Sequence, residues 1–466
     1  VASCLVLALA TLIPCLWQER IQAGDLASHV YNTWLVQLIR NGQAPGLWIA
    51  PIKSNLLFDV LLETLSTHFG FAAAQRIAVS CAVLFLIWGA FFFIARASAS
   101  RPYFLFPCLW ILIYGVLFHA GLFNLYLSMG LCLAYLGLVW EQGWTRHLSA
   151  ALILAVAWVA HPFPVLWAVG IDTFATISFR LKPRSRIFLL VSALAALTAV
   201  AISIDRYYGH QYAHGQAFQF TGANVALVYG NKYKWIMAGL LVLWFTLLLR
   251  LIHQIGLASL AGSVLAQAWL LTVASVVLIP DTIWFPQYQD PFSFISVRLS
   301  FCAAIFLCAV IAQSKVKTSE KVFVGLLAAA YFTMLWGDER ILNQRESAIV
   351  GAVETMPPRQ RIVSSLPVPL NFIDHTLDRA CIGRCFSYAN YEPSSRQFRV
   401  RANPGNAIVM SSNSDVGAVG RGMYSVRSED LPIITLRFCG PEQQICVQPL
   451  KAGELVGTPP PVVAPH

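Results

Sequence analysis

The chain is short of charge. Asp, Glu, Lys and Arg make up 12% of its 466 residues, against 57% hydrophobic ones. A soluble globular protein carries about 25% charged residues, so that class is excluded, and the mean hydropathy of +0.64 agrees. The composition is that of a polytopic membrane protein. Basic residues are also missing from particular places. The segments around His119, around His161 and across Pro280 to Val297 contain no Lys or Arg. The segments alternating with them hold Arg96 and Arg101, then Arg146, then Arg180, Lys182, Arg184 and Arg186, then Arg250, then Lys315, Lys317 and Lys321. The longer loop from Asp205 to Lys234 breaks the pattern with three basic residues. Such asymmetry marks the cytoplasmic side of a membrane. It accounts for the net charge of +10 without nucleic acid as a partner. It predicts an integral protein of a bacterial inner membrane, with the N-terminus cytoplasmic and the C-terminal region outside.

Other absences narrow the reading. No 20–50-residue repeat is present, and no inverted pair of broken spans of the kind transporters use. Of the eleven cysteines, Cys4, Cys15, Cys81, Cys108, Cys132, Cys302 and Cys308 lie in apolar segments and read as inert small hydrophobes. Cys381, Cys385, Cys439 and Cys446 lie in the polar C-terminal region with no histidine at ligand spacing. C-x3-C and C-x6-C suit two small disulfide loops, with a Cys4 metal site as the alternative.

A span needs roughly 20 apolar residues. Eleven candidates occur: 1–17, 74–95, 103–120, 124–140, 148–161, 164–179, 187–204, 235–251, 257–279, 299–313 and 322–336. The fifth and sixth, separated by His161-Pro162-Phe163-Pro164, could instead form one broken re-entrant unit. The chain opens on Val1, so a few residues are expected to precede it, and the first segment is expected to be a span, not a cleaved signal peptide. The predicted fold is an α-helical polytopic membrane protein of about 11 transmembrane helices over residues 1–336. Its first outer loop, 18–73, carries interfacial helices. A small α/β or mostly β extracytoplasmic domain follows over 337–450. Its β-like runs are Arg361–Ser364, Gln397–Val400, Ala407–Met410 and Ile433–Phe438. Residues 451–466, ending GTPPPVVAPH, read as a disordered Pro-rich tail.

The stretch Glu19–Gly42, ERIQAGDLASHVYNTWLVQLIRNG, follows the first span. Val30, Trp34 and Leu38, with Tyr31, Leu35 and Ile39 beside them, form one apolar face. Asn32, Gln37 and Arg40 lie off it, as in an amphipathic helix on a membrane surface. Asp25 and His29 sit one turn apart near its start. Asp25 reads as a helix N-cap, as a general base held toward the membrane surface, or as both. His29 reads as its orienting partner or as a ring packed on headgroups. Residues 56–69 are apolar at helical spacing but contain Asp59, Glu63 and His68. They read as a second interfacial helix or an extension of the next span.

His119, Asn124 and His161 fall at outer ends of spans, at the level expected for Asp25. Each suits a satisfied polar group at a helix end, or together they line a polar cavity. The loop PDTIWFPQYQDPFSFISVR supplies Trp284, Phe285, Tyr288, Phe292 and Phe294, which suit an interfacial belt, a sugar or an isoprenoid. It also supplies Asp281 and Asp290 as secondary carboxylates. Arg298 opens a span from the side where the positive-inside bias gives it no topological use. It can reach headgroups or clamp a lipid phosphate bidentately.

A first span, then an outer loop opening on an acid (GDLASH), then two helices at the interface, resembles the GT-C glycosyltransferases. These are polytopic enzymes that include protein O-mannosyltransferases and the aminoarabinose transferases of lipid A. HAGLFNLYLS and AHPFP are similar to outer loop ends of bacterial members. The resemblance implies transfer of a sugar from a polyprenyl-phosphate donor to a lipid, glycan or protein acceptor on the outer face. Only Asp25 carries over as the loop carboxylate. A second acid that many members show nearby is absent, since Leu26, Ala27 and Ser28 follow Asp25. The sequence requires no cofactor and leaves a divalent cation open. With one carboxylate as base and one Arg on the donor phosphate, the transfer would be inverting. The rival readings are a lipid or polysaccharide transporter or flippase, and a membrane-anchored assembly protein whose C-terminal domain binds.

Overall fold

The computed structural model describes residues 2–366, 375–439 and 444–456. Its helices are α1 (Ala2–Leu16), α2 (Gly24–Arg40), α3 (Leu57–Ala97), α4 (Phe106–Ile113), α5 (Val116–His119), α6 (Phe123–Val139), α7 (Trp144–Ala160), α8 (Pro162–Phe179), α9 (Pro183–Tyr207), α10 (Lys234–Ile255), α11 (Leu257–Ala261), α12 (Val264–Leu278), α13 (Ile295–Ile311), α14 (Thr318–Glu354), α15 (Thr376–Ala380), α16 (Glu392–Ser395) and α17 (Asn413–Gly420). The strands are short: β1 (Leu47–Ile49), β2 (Gly209–Gln211), β3 (Thr282–Trp284), β4 (Arg361–Ser364), β5 (Phe386–Ser387), β6 (Val400–Ala402), β7 (Tyr424–Ser425), β8 (Ile434–Cys439), β9 (Gln444–Pro449) and β10 (Leu455–Val456).

Among the described residues, five helices are long and apolar enough to cross a membrane: α3, α8, α9, α10 with the turn before it, and α14. Six more apolar helices have 10–17 residues. A 17-residue helix such as α6 rises about 25 Å, slightly less than a hydrocarbon core of about 30 Å. These are the helices of a membrane protein. Two of the expected spans are broken. The one at 103–120 stops at Ile113 and resumes at Val116, because Gly115 takes an extended conformation that caps α5. A Cβ there would strike the Val225 carbonyl. The one at 257–279 is interrupted at Gly262–Ser263, where the Ser263 hydroxyl accepts the Ala266 N–H at 3.2 Å and starts α12. The fifth and sixth segments form two helices, α7 and α8. Pro162 ends any continuity, and the His161 side chain caps the second helix.

The chain divides into two compact units. The first comprises Val1–Cys15, Val79–Pro286 and Pro291–Gly337. Its helices approach closely where side chains are missing. A Cβ on Gly130 of α6 would lie within 2.6 Å of the Phe85 carbonyl carbon of α3, and one on Gly89 would meet the Gly130 backbone. Small residues at helix contacts are how membrane helices pack in the absence of a hydrophobic driving force.

The second unit comprises Leu16–Ala78, Gln287–Asp290 and Asp338–His466. It joins the loop after α1 to the C-terminal region. A four-stranded sheet runs in the order β5-β4-β8-β9, with β4 parallel to both neighbours and β8–β9 antiparallel. β1 pairs antiparallel with β6, and β7 with β10. The disulfides Cys381–Cys385 and Cys439–Cys446 are both present, with Cα atoms 4.6 and 6.0 Å apart. The strand expected at 407–410 is absent. There the Asn406 carboxamide oxygen accepts the Ile408 and Val409 N–H groups and bends the chain. The expected run 397–400 reaches a strand only at Val400. Residues 457–466 of the expected tail lie outside the described residues.

The helix expected to lie on a surface is instead a core element of the second unit. From Gly24 to Val36, α2 is buried nearly all round. Tyr31, Leu35 and Val36 pack with Ile349, Val353 and Phe386. Its polar face is accommodated by pairing: Asn32 and Asn390 exchange carboxamide hydrogen bonds at 2.8 and 3.3 Å. Periodicity shows that a helix has two faces; it does not show that the polar one is wet. The segment 57–69 is continuous with the following span in α3, but Gly70 (φ 74°, ψ 164°) breaks the helical path. That conformation favours glycine.

Candidate active site

Asp25 is not the N-cap of α2. That position is Ala23, whose side chain can accept nothing, and Asp25 falls in the first turn. A carboxylate there is favoured by the helix dipole. Its side chain is about a third exposed (33%), the highest among the groups gathered around it. The Nε2 atom of His375 lies 3.7 Å away. That is ion-pair range but beyond a direct hydrogen bond.

His375 immediately precedes α15, and Asp378 stands one turn further on. The carboxylate of Asp378 meets Nδ1 of His375 at 3.1 Å. Its other oxygen accepts the Ser387 hydroxyl, and the Ser387 N–H donates to the Tyr31 hydroxyl at 2.9 Å. The His375 ring packs on Tyr391 with centroids 4.9 Å apart. The imidazole is thus held on one nitrogen by a buried carboxylate while the other faces Asp25. A carboxylate on one ring nitrogen fixes which nitrogen works at the other end. The Cys381–Cys385 bridge closes the chain directly after α15.

A second layer lies behind. His29 is buried, so the expectation that it packs on headgroups is overturned. Its Nδ1 is 2.7 Å from Asp59 Oδ1, and its ring meets Phe58 and Phe398 edge-on. Burial opposes its charge, yet the Asp59 carboxylate in contact, with Glu392 and Asp25 nearby, outweighs burial and raises its pKa to about 9. Glu392 is buried as well and accepts the Ser28 hydroxyl at 3.0 Å. Burial is the main reason its pKa rises to about 7; the charge of His29 works the other way. Four acids, Asp25, Asp59, Asp378 and Glu392, therefore surround two imidazoles. Among the described residues, no group of three or more His, Cys, Asp or Glu is arranged to hold a metal ion.

The remaining candidates divide between the units. In the second, Asp290 accepts from the Asn413 carboxamide at 2.9 Å, its backbone carbonyl accepts from Gln397, and Tyr288 is exposed. In the first, Arg298 is buried and its guanidinium sits over Phe292, 4.5 Å from the ring centroid. His161 packs on the same Phe292 at 6.0 Å, while its Nδ1 accepts the Phe163 N–H. His119 is fully buried, with Nδ1 2.8 Å from the Tyr229 hydroxyl. Asn124 is buried in the first turn of α6. Asp281 is structural: its Oδ1 accepts the Ser296 N–H at 3.1 Å and the Ser296 hydroxyl, fastening the start of α13.

Sequence reasoning missed His375, Asp378, Tyr391 and Glu392, which lie more than 300 residues from Asp25 along the chain. One signal was available. Asp59 and Glu63 interrupt an apolar helical run, and buried carboxylates require partners. In comparisons of sequence and of structure, no protein-family model, no curated protein and no solved structure matches this chain.

Proposed function

We propose that the protein is an integral-membrane glycosyltransferase of GT-C type. It would move a sugar from a polyprenyl-phosphate donor to an acceptor hydroxyl at the outer membrane surface, with Asp25 as general base. The observation that carries this reading is the asymmetry of the cluster: one carboxylate a third exposed, beside the partly exposed His375 and in front of three buried acids and the buried His29. In the step, the acceptor oxygen forms the new bond to the anomeric carbon. The bond from that carbon to the phosphate oxygen breaks, and the phosphate leaves with the electron pair. The acceptor proton passes to Asp25, and attack from the face opposite the leaving phosphate inverts the configuration. His375, as an imidazolium with Nδ1–H on Asp378, would present its Nε2–H toward that carboxylate and orient it. Buried groups at its back restrict its motion, which is what general-base catalysis needs.

The test is transfer of labelled sugar from polyprenyl phosphate by purified full-length protein in detergent, beside a melting curve. Asp25→Asn makes no change of shape and leaves no cap to lose. Transfer should fall by roughly 10²-fold or more, with the melting temperature lowered only slightly, by the loss of one dipole-favoured charge. Wild-type transfer by this variant would end the role of Asp25.

One observation favours the transporter reading. Asp172 lies in the middle of α8, where its carboxylate accepts the Tyr135 hydroxyl at 2.7 Å and sits 3.1 Å from His147 Nε2. An acid inside an apolar span is unusual and commonly functional. Reconstituted protein that translocates lipid-linked sugar but transfers none would favour that reading.

A further inference from the structure

The second unit contains a cleft of about 460 Å³ between the end of α2, the segment 49–56 and the first turns of α3. Its charged lining is Arg40, Arg399 and Glu63, and its apolar lining includes Ile52, Leu56 and Val60. Both guanidiniums pair with the one carboxylate of Glu63, which leaves the cleft with one net positive charge. Asp59, one turn earlier on α3, adds no repulsion, because it is engaged by His29. The two cations differ in freedom. The Arg399 side chain is 10% exposed and fixed, whereas that of Arg40 is 61% exposed at the mouth. The same stretch of chain leaves Trp48, Val60 and Phe69 exposed.

A free anion gains nothing from an apolar wall, and a neutral lipid gains nothing from a guanidinium. A phosphodiester with acyl chains uses both. We infer that this cleft binds the headgroup of an anionic membrane phospholipid, with Arg40 turning from Glu63 to the phosphate and the glycerol backbone lying over Ile52, Leu56 and Val60. The volume suits such a group, since ligand sites occupy about 300–1,000 Å³. Guanidinium forks match phosphate oxygens two at a time. An amphipathic segment presenting Trp and Phe beside basic residues belongs at a lipid interface. The inference does not depend on the transferase reading, because no residue lining the cleft belongs to the cluster around Asp25.

The experiment is lipid titration of the purified full-length protein in a non-ionic detergent, read by native mass spectrometry and by melting temperature. The probes are phosphatidylglycerol, phosphatidylcholine and inorganic phosphate. Phosphatidylglycerol should bind saturably and at least about tenfold tighter than phosphatidylcholine. Arg40→Gln, at an exposed position, should weaken it about tenfold, as loss of a charge-assisted hydrogen bond to phosphate does. Glu63→Gln removes the competing carboxylate and should tighten it, a change of opposite sign that general misfolding cannot imitate. Equal binding of the two lipids, or unaltered binding by Arg40→Gln, would overturn the site. Inorganic phosphate protecting as well as phosphatidylglycerol at equal concentration would overturn the lipid as its occupant.

Discussion

The contact between His29 and Asp59 gives a prediction whose size follows from the structure. An imidazole carried from its ordinary 6.5 to about 9 stabilises the fold by on the order of 3 kcal/mol, at about 1.4 kcal/mol per pH unit. The folded pKa is raised, so this stability is fully present below about pH 6.5 and is lost as pH rises through about 9. Asp59→Asn keeps the shape and the hydrogen-bond acceptor but removes the charge. Burial, the largest influence on His29, is then opposed only by Glu392 and Asp25, and the ring is neutral at pH 7. At that pH the variant should be less stable by roughly 2–3 kcal/mol. The gap should shrink by about 1.4 kcal/mol per pH unit from about pH 6.5 and be nearly closed just above pH 9, as wild-type His29 loses its proton. The assay is thermal unfolding of both proteins in the same detergent from pH 6 to pH 10. Taking the difference between them cancels the titration of lysines, tyrosines and cysteines elsewhere. A gap of constant size over that range would show that Asp59 contributes packing and not charge, and the raised pKa would be wrong.

Two further outcomes follow from packing. Gly130→Ala should destabilise by roughly 1–3 kcal/mol through overpacking, because its Cβ would enter the α3 backbone at Phe85 and Leu86. Gly170→Ala, which has open space around it, should be neutral or stabilising by up to about 1 kcal/mol; equal melting temperatures for the two variants would refute the close approach of α3 and α6. Replacing Cys381 and Cys385 together by Ser should cost roughly 2 kcal/mol, the value for a loop this short. Thiol labelling of the unreduced native protein should find neither of these two cysteines, and labelling of both would remove the bridge.

The helical membrane class was legible because it rests on composition and run length, which hold regardless of tertiary contacts. Most apolar segments became helices within a few residues of their expected ends. The exceptions have local causes. Gly115 and the Gly262–Ser263 step break two segments from inside, and a hydropathy window averages over a single glycine. The helix α14 extends past Trp336 to Glu354, because residues such as Glu339, Glu346 and Asn343 continue it on other terms. Glu346 takes a bidentate Arg379, and Asn343 takes the Arg20 backbone. The arginine that satisfies this acid lies 33 residues downstream, so composition read only the change in polarity. Strands were harder. β4 and β8 are apolar enough to be seen, but β5, β7 and β10 have two residues each and carry no periodicity at all.

The candidate site shows what a linear motif leaves out. Leu26, Ala27 and Ser28 follow Asp25, so the sequence offered no second acid beside it. The fold offers several from elsewhere. Asp59 arrives on the next helix, and Asp378 and Glu392 arrive on two short helices of the C-terminal region, with His375 between Asp378 and Asp25. The arrangement follows from the burial of α2. A helix lying on a surface would have presented Ser28, His29 and Asn32 to water, where they need no partners. Once buried, each requires one, and Glu392, Asp59 and Asn390 supply them. Buried polar groups left unpaired cost several kcal/mol, so the positions opposite α2 are constrained as strongly as the apolar ones around Tyr31 and Leu35. Asp25 differs from its neighbours in this respect. Its side chain is about a third exposed (33%), and His375 Nε2 stands 3.7 Å from it, beyond a direct hydrogen bond. That difference separates the one acid proposed to act from the three that hold the structure around it.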